Sequence, residues 1–244
     1  MSDRDLFCQY FPDVSRETLD DLQIYADTLV KWQKQINLVG PKTISELWLR
    51  HMVDSAQVHY KVNEILGSNS NRRWLDFGAG AGFPSLVLSI MGGGHVYPCE
   101  SVGKKCSFMR TIMRDTSAKG EVKQGRIEDL DPFPVDIITS RALATIDLLL
   151  NYSEKFLSED VELWLLKGRN WQHEVDEAKQ HWVFHVEHFT SVVEDGIRLA
   201  SEEDTEFEKL KTPRQIPFVG WAIYNFFQGG LEKYNERQER KRYE

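Results

Sequence analysis

Eleven residues constrain this chain more than any others: Trp74-Leu75-Asp76-Phe77-Gly78-Ala79-Gly80-Ala81-Gly82-Phe83-Pro84. An apolar run enters a Gly-x-Gly-x-Gly bend, and a helix-like stretch follows. Glycine tolerates positive φ and lets a ligand approach the backbone. Proline suits the first turn of a helix, where its missing N–H costs nothing. Strand, bend and helix in this order make a cradle at the carboxyl edge of a parallel sheet, where open α/β folds bind ligands. A dinucleotide fingerprint needs its third glycine at position 83. Phe83 stands there, so the bend suits a nucleoside without a pyrophosphate better than NAD. Asp76 is placed to meet a ligand ammonium or a bridging water. Glu100, 18 residues past Gly82, ends the next expected strand, where a carboxylate can accept both hydroxyls of a ribose. After a third strand, Ile127 can cover an adenine face and Glu128 can accept its amino group.

The surrounding chain repeats the alternation. Expected strands at Trp74–Phe77, His95–Cys99, Glu121–Gln124, Val135–Thr139 and Val161–Leu166 are separated by expected helices at Pro84–Met91, Lys104–Thr116, Ile146–Phe156 and Trp171–Trp182. This predicts a Rossmann-like α/β fold, a mostly parallel seven-stranded sheet with helices on both faces. Val183–Phe189 and Ile197–Ala200 are expected to close it as an antiparallel hairpin. Residues 1–67 read as a helical extension. Leu19, Leu22, Tyr25, Ala26, Leu29, Trp32 and Ile36 recur at helical spacing behind Ser15 as N-cap, Gly40-Pro41 breaks the pattern, and a second helix is expected from Ser45 through Lys61. Residues 68–200 form the sheet domain. Residues 201–244 form an extension of unknown role, whose aromatic segment Gly220–Gly230 reads as a packed helix.

Composition excludes several classes. No stretch of about 18 apolar residues exists to span a membrane. Three widely spaced cysteines give neither a disulfide framework nor a zinc knuckle and fit a reducing cytoplasm. His181, His185 and His188 read as scattered histidines, and no metal is expected. The net charge is −8, yet residues 101–126 carry seven bases against two acids, enough local charge to hold phosphates.

The segment after the fourth strand, Thr139-Ser140-Arg141-Ala142-Leu143-Ala144, lacks the Asn/Asp-Pro-Pro-aromatic element of enzymes that methylate exocyclic amino groups. No cysteine stands there as a nucleophile for carbon methylation. A base nitrogen with a free lone pair, such as guanine N7, needs no general base, only positioning in a dry site. Arg141 can contact a cofactor, guanine O6 or a phosphate, and Lys167 can serve an RNA backbone.

Several motifs together resemble the GidB/RsmG family of 16S rRNA guanine-N7 methyltransferases. They are Asn37-Leu38-Val39, Arg50-His51-x-x-Asp54-Ser55, the glycine bend, Glu100-Ser101-x-x-Lys104-Lys105, Arg126-Ile127-Glu128, Ser140-Arg141-Ala142 and Leu166-Lys167-Gly168. The resemblance runs from about residue 30 to 180. It implies S-adenosylmethionine as cofactor, held at Gly78, Phe83, Ile127, Glu128 and Arg141. It implies 16S rRNA, in the small subunit or an assembly intermediate, as partner. Gly80, Gly82 and Glu100 complete the expected cofactor set. Arg141, Lys167, His51 and Asp54 are the candidates for substrate positioning. His51 and Asp54, three apart on a helix, can pair and brace the helices against the sheet, or hold the target nucleotide. Two rivals remain. A nicotinamide-dependent oxidoreductase of the short-chain kind would carry Tyr-x-x-x-Lys, which none of the eight tyrosines provides. A non-catalytic ribosome-assembly factor would not need the intact bend and Glu100.

Overall fold

A computed structural model describes residues 3–158, 161–168, 170–182, 184–193 and 220–225. Its centre is one twisted sheet. Strands β1 (Arg73–Phe77), β2 (His95–Glu100), β3 (Lys119–Gly120), β4 (Lys123–Gln124), β5 (Ile137–Arg141), β6 (Glu162–Lys167), β7 (His185–Thr190) and β8 (Gly220–Asn225) run in the order β3-β2-β1-β5-β6-β8-β7. β4 also pairs β2, so β3 and β4 share one position and the strands fill seven. The pairs from β3 and β4 through β6 are parallel, and β8 is antiparallel to both neighbours. Of the expected third strand, Glu121–Gln124, only Lys123–Gln124 is strand, and Lys119–Gly120 pairs β2 just before it.

The expected closing hairpin is replaced by another. β7 falls where a strand was expected, but its partner is Gly220–Asn225, the segment read as a helix. Residues 197–200 lie outside the described residues. A six-residue apolar run carries too little periodicity to separate strand from helix. The edges of β6 and β7 decide: β8 pairs both, satisfying backbone groups that a helix would leave open.

Side chains alternate across the strands and divide the core in two. Trp74, Trp164 and Leu166 face one side with helices α2 (Arg16–Gln33), α4 (Ser85–Ile90) and α5 (Gly103–Asp115). Leu75, Phe77, Leu163 and Leu165 face the other with α6 (Ile146–Ser153) and α7 (Trp171–Ala178). The N-terminal helices, α1 (Asp3–Tyr10), α2 and α3 (Asp54–Leu66), share the first of these cores, so they roof one sheet face. Ser15 caps α2 as expected, its Oγ accepting from Thr18 N at 3.1 Å.

The second expected helix is three pieces: a 3₁₀ turn at Pro41–Glu46, a π-helical turn at Trp48–Val53, and α3. In the π-helical turn Trp48, Leu49, His51, Met52 and Val53 are all buried, so tertiary packing overrides the local α preference. Such turns concentrate at functional sites, and this one carries His51.

Candidate active site at the carboxyl edge of the sheet

β1 ends at Phe77, and the next five residues turn back over the strand ends. Gly78, Gly80 and Gly82 all have positive φ, at 63°, 60° and 91°, and two of them differ sharply in surroundings. A Cβ on Gly82 would stand 2.5 Å from Leu86 Cδ1 and 3.0 Å from the Tyr25 hydroxyl, so its hydrogen lets α2 and α4 close on the bend. Gly82→Ala should destabilise the fold by about 2–4 kcal/mol through overpacking and left-handed strain. Urea unfolding checks this, and an unchanged midpoint would contradict it. A Cβ on Gly80, by contrast, would meet nothing nearer than the Gly78 carbonyl at 3.8 Å. That face of the bend is open.

Glu100 belongs to the same construction. Ala79 N donates to Cys99 O at 3.0 Å, tying the bend to the end of β2. The Glu100 carboxylate accepts from Gly80 N at 3.1 Å and Val102 N at 2.8 Å. Two backbone donors fix its direction, and a carboxylate keeps lone pairs beyond these for a vicinal diol. The acid expected to grip a ribose is therefore joined to the bend's open face.

Beneath the bend, Asp76 is fully buried. Thr139 Oγ1 donates to its Oδ1 at 3.1 Å, and the Ser85 hydroxyl and backbone N–H face the carboxylate and favour its charged form. Burial pushes the Asp76 carboxyl up to about 7 from 3.8. Between those values the folded chain binds a proton that the unfolded chain has released, so this group's stabilisation is full below pH 4 and lost as pH rises through 7. The drop is at most about 4 kcal/mol. His51, pushed down to about 3 by burial, and His59, pushed down to about 4 by burial, act in the opposite sense, costing stability as pH falls below 6.5. Comparing wild type with Asp76→Asn from pH 4 to 8 isolates the carboxyl. The stability of the wild type minus that of the variant should fall by up to about 4 kcal/mol between pH 4 and 7, and a flat difference would refute the assignment.

At the end of β5, Arg141 gathers the helical roof. Its Nη2 donates to His51 Nδ1 at 2.8 Å, and its Nη1 lies 3.5 Å from Asp54 Oδ2 and 3.4 Å from the Arg50 carbonyl. His51 and Asp54 thus meet through Arg141, which corrects the direct pair expected from their spacing. Neutral His51 then donates from Nε2 to Thr43 Oγ1 at 2.8 Å, and Thr43 Oγ1 donates to Gly40 O at 2.8 Å. Asp54 Oδ1 also accepts from Ser191 at 3.1 Å and Gln57 at 3.0 Å. The Phe83 ring stacks on Tyr25 and on His51, each at 5.0 Å, with the Arg141 guanidinium 5.2 Å from its centre. Tyr25 donates to the Ala81 carbonyl at 2.5 Å. The roof is bolted to the bend through these contacts.

The remaining expected residues divide. Ile127 is buried and opens a 3₁₀ turn, and Glu128 beside it is exposed. Lys167 is buried; its Nζ lies 2.6 Å from Glu174 Oε2 and donates to the Ala144 carbonyl at 2.5 Å. It braces the loop after β5, which corrects the expectation that it serves an RNA backbone. His181 pairs Asp147 at 3.0 Å and His188 stacks on Trp171, apart from one another in role.

The family model for GidB, rRNA small subunit methyltransferase G, matches residues 18–199. The chain belongs to the GidB family. Ribosomal RNA small subunit methyltransferase G of Paramagnetospirillum magneticum is 43% identical over 183 residues, 75% of this chain and 87% of that protein. The protein of the same name from Rhizobium rhizogenes is 40% identical over 210 residues, 83% and 96% of the two chains. Among solved structures, the Synechocystis magnesium protoporphyrin IX methyltransferase with bound S-adenosylmethionine aligns at TM-score 0.54 and 10% identity, over 92% of this chain and 98% of that one. An S-adenosylmethionine-dependent O-methyltransferase from Thermotoga maritima aligns at 0.53 and 16%, over 82% and 69%. These two speak for the fold. In this GidB-family chain, motif reading overlooked Tyr25, Thr43, Gln57, Ser191 and Glu174. Each is a common polar residue whose partner is distant in sequence or unremarkable in type. Gln33 was overlooked too: its side chain holds the Leu38 and Val39 amides at 2.9 and 3.1 Å and so shapes the Asn37-Leu38-Val39 motif.

Proposed function

We propose that this chain transfers a methyl group from S-adenosylmethionine to N7 of a guanosine in 16S rRNA, acting in the cytoplasm on the small subunit or an assembly intermediate. The observation that carries the reading is the Glu100 carboxylate anchored to Gly80 N beside an open glycine face. Gly78, Gly80 and Gly82 form the floor of the cofactor site, Glu100 holds the ribose diol, and Ile127 and Glu128 border the adenine. When bound, S-adenosylmethionine supplies an electrophilic methyl on a sulfonium.

Guanine N7 has a lone pair and no proton to lose, so the protein has only to orient the base and exclude water. The ionisable groups at the strand ends match that economy. Asp76 is sealed under the bend, and Arg141 and Lys167 are engaged with carboxylates. Arg141 sits between roof and sheet, where a guanidinium can donate to guanine O6.

The test supplies methyl-labelled S-adenosylmethionine with small subunits and, separately, naked 16S rRNA from cells lacking the gene. Nucleosides are then separated after digestion. Label in 7-methylguanosine is the expected result. Label on another atom refutes N7 transfer, and cofactor binding without transfer favours the assembly factor.

A further inference from the structure

The loop after β5 combines a strained residue with an exposed apolar one. Ala142 has φ 53°, and among the described residues no other non-glycine has positive φ. Leu143, next to it, exposes 42% of its surface at the rim of the cradle. Its isobutyl group lies against Gly78, with Cδ1 2.7 Å from the point a Cβ on Gly78 would occupy. A left-handed alanine persists only where its surroundings over-determine it. Here they do so at two backbone points: Lys167 Nζ holds the Ala144 carbonyl, and Glu174 Oε2, itself paired with Lys167, accepts from Ile146 N at 3.0 Å.

The strand order says which partner Leu143 meets. β1 lies between β2 and β5. Glu100 ends β2 on one side of the bend, and Leu143 follows β5 on the other. With the adenine beside Ile127 and Glu128, which follow β4 on the far side of β2, the opposite, methyl-bearing end of a nucleoside gripped at Glu100 points toward β5 and Leu143, and the acceptor enters from that side. An apolar wall there contributes no hydrogen bond and removes water. That suits an acceptor nitrogen with a free lone pair, whereas an amino acceptor needs a hydrogen-bond acceptor for its protons.

We propose that Leu143 is a positioning residue that forms the apolar wall of the target-guanine pocket, held in place by the strained Ala142 and the Lys167–Glu174 clamp. This rests on the N7-transfer reading. The test measures cofactor affinity by calorimetry and steady-state transfer to small subunits for wild type, Leu143→Ala, Leu143→Met and Lys167→Met. Truncating one apolar wall should lower kcat/KM for RNA by about 10- to 100-fold, mostly in kcat. At saturating cofactor the loss in kcat should persist, which separates the wall from any cofactor contact made beside Gly78, and thermal melting should change little, because 42% of the residue is already exposed. Leu143→Met should restore most of the rate, and Lys167→Met should reproduce the loss by freeing the loop. Unchanged transfer in Leu143→Ala overturns the proposal. So does weakened cofactor binding at unchanged kcat, which would make Leu143 a cover for the cofactor. A wild type that methylates no guanine brings down the underlying reading and the wall with it.

Discussion

Gly80→Asp should lower affinity for S-adenosylmethionine at least about a hundredfold, close to 3 kcal/mol, while the chain stays folded. The new side chain would meet no protein atom nearer than 3.8 Å from its Cβ, so it would project into the open face. It would fill the hollow proposed for the nucleoside and set a second carboxylate beside Glu100, which accepts from Gly80's own amide. The φ of 60° adds strain, but aspartate tolerates this region better than most residues. Binding by calorimetry and melting by circular dichroism separate the two effects. Micromolar affinity retained in a folded variant would place the cofactor elsewhere.

Arg141→Ala should be the most damaging single change to both rate and stability. Without the guanidinium, Asp54 would keep a buried carboxylate facing only Ser191 and Gln57, and His51 Nδ1 would lose its donor. Burial already raises the Asp54 carboxyl, and Arg141 is the largest influence opposing it. Removing one partner of a buried charge pair typically costs about 3–5 kcal/mol. For a chain of 244 residues that is a fall in melting temperature of roughly 10 °C. The double variant Arg141→Ala/Asp54→Asn should recover much of the stability, since the stranded charge is gone, but little of the turnover. If the double variant regains full activity, Arg141 serves only as a bolt between roof and sheet. If Arg141→Ala melts like the wild type, the buried network is not what ties the helices down.

The glycine bend, Glu100, the βα alternation and the capped helix were legible in the chain itself. They depend on local physics: a left-handed turn needs glycine, a strand end places an acid at a set distance along the chain, and helical spacing exposes one apolar face. The family, too, could be read from ordered motifs. Three dimensions decided the rest. Gly220–Asn225 is a strand because two distant edges needed pairing, and no feature of its own six residues says so. Lys167 braces a loop because Glu174 and Ala144 meet it across the fold. Arg141 joins His51 and Asp54 over about ninety residues of chain. Buried charge and an unpaired backbone edge both carry large penalties, and only the assembled structure shows which partners remove them.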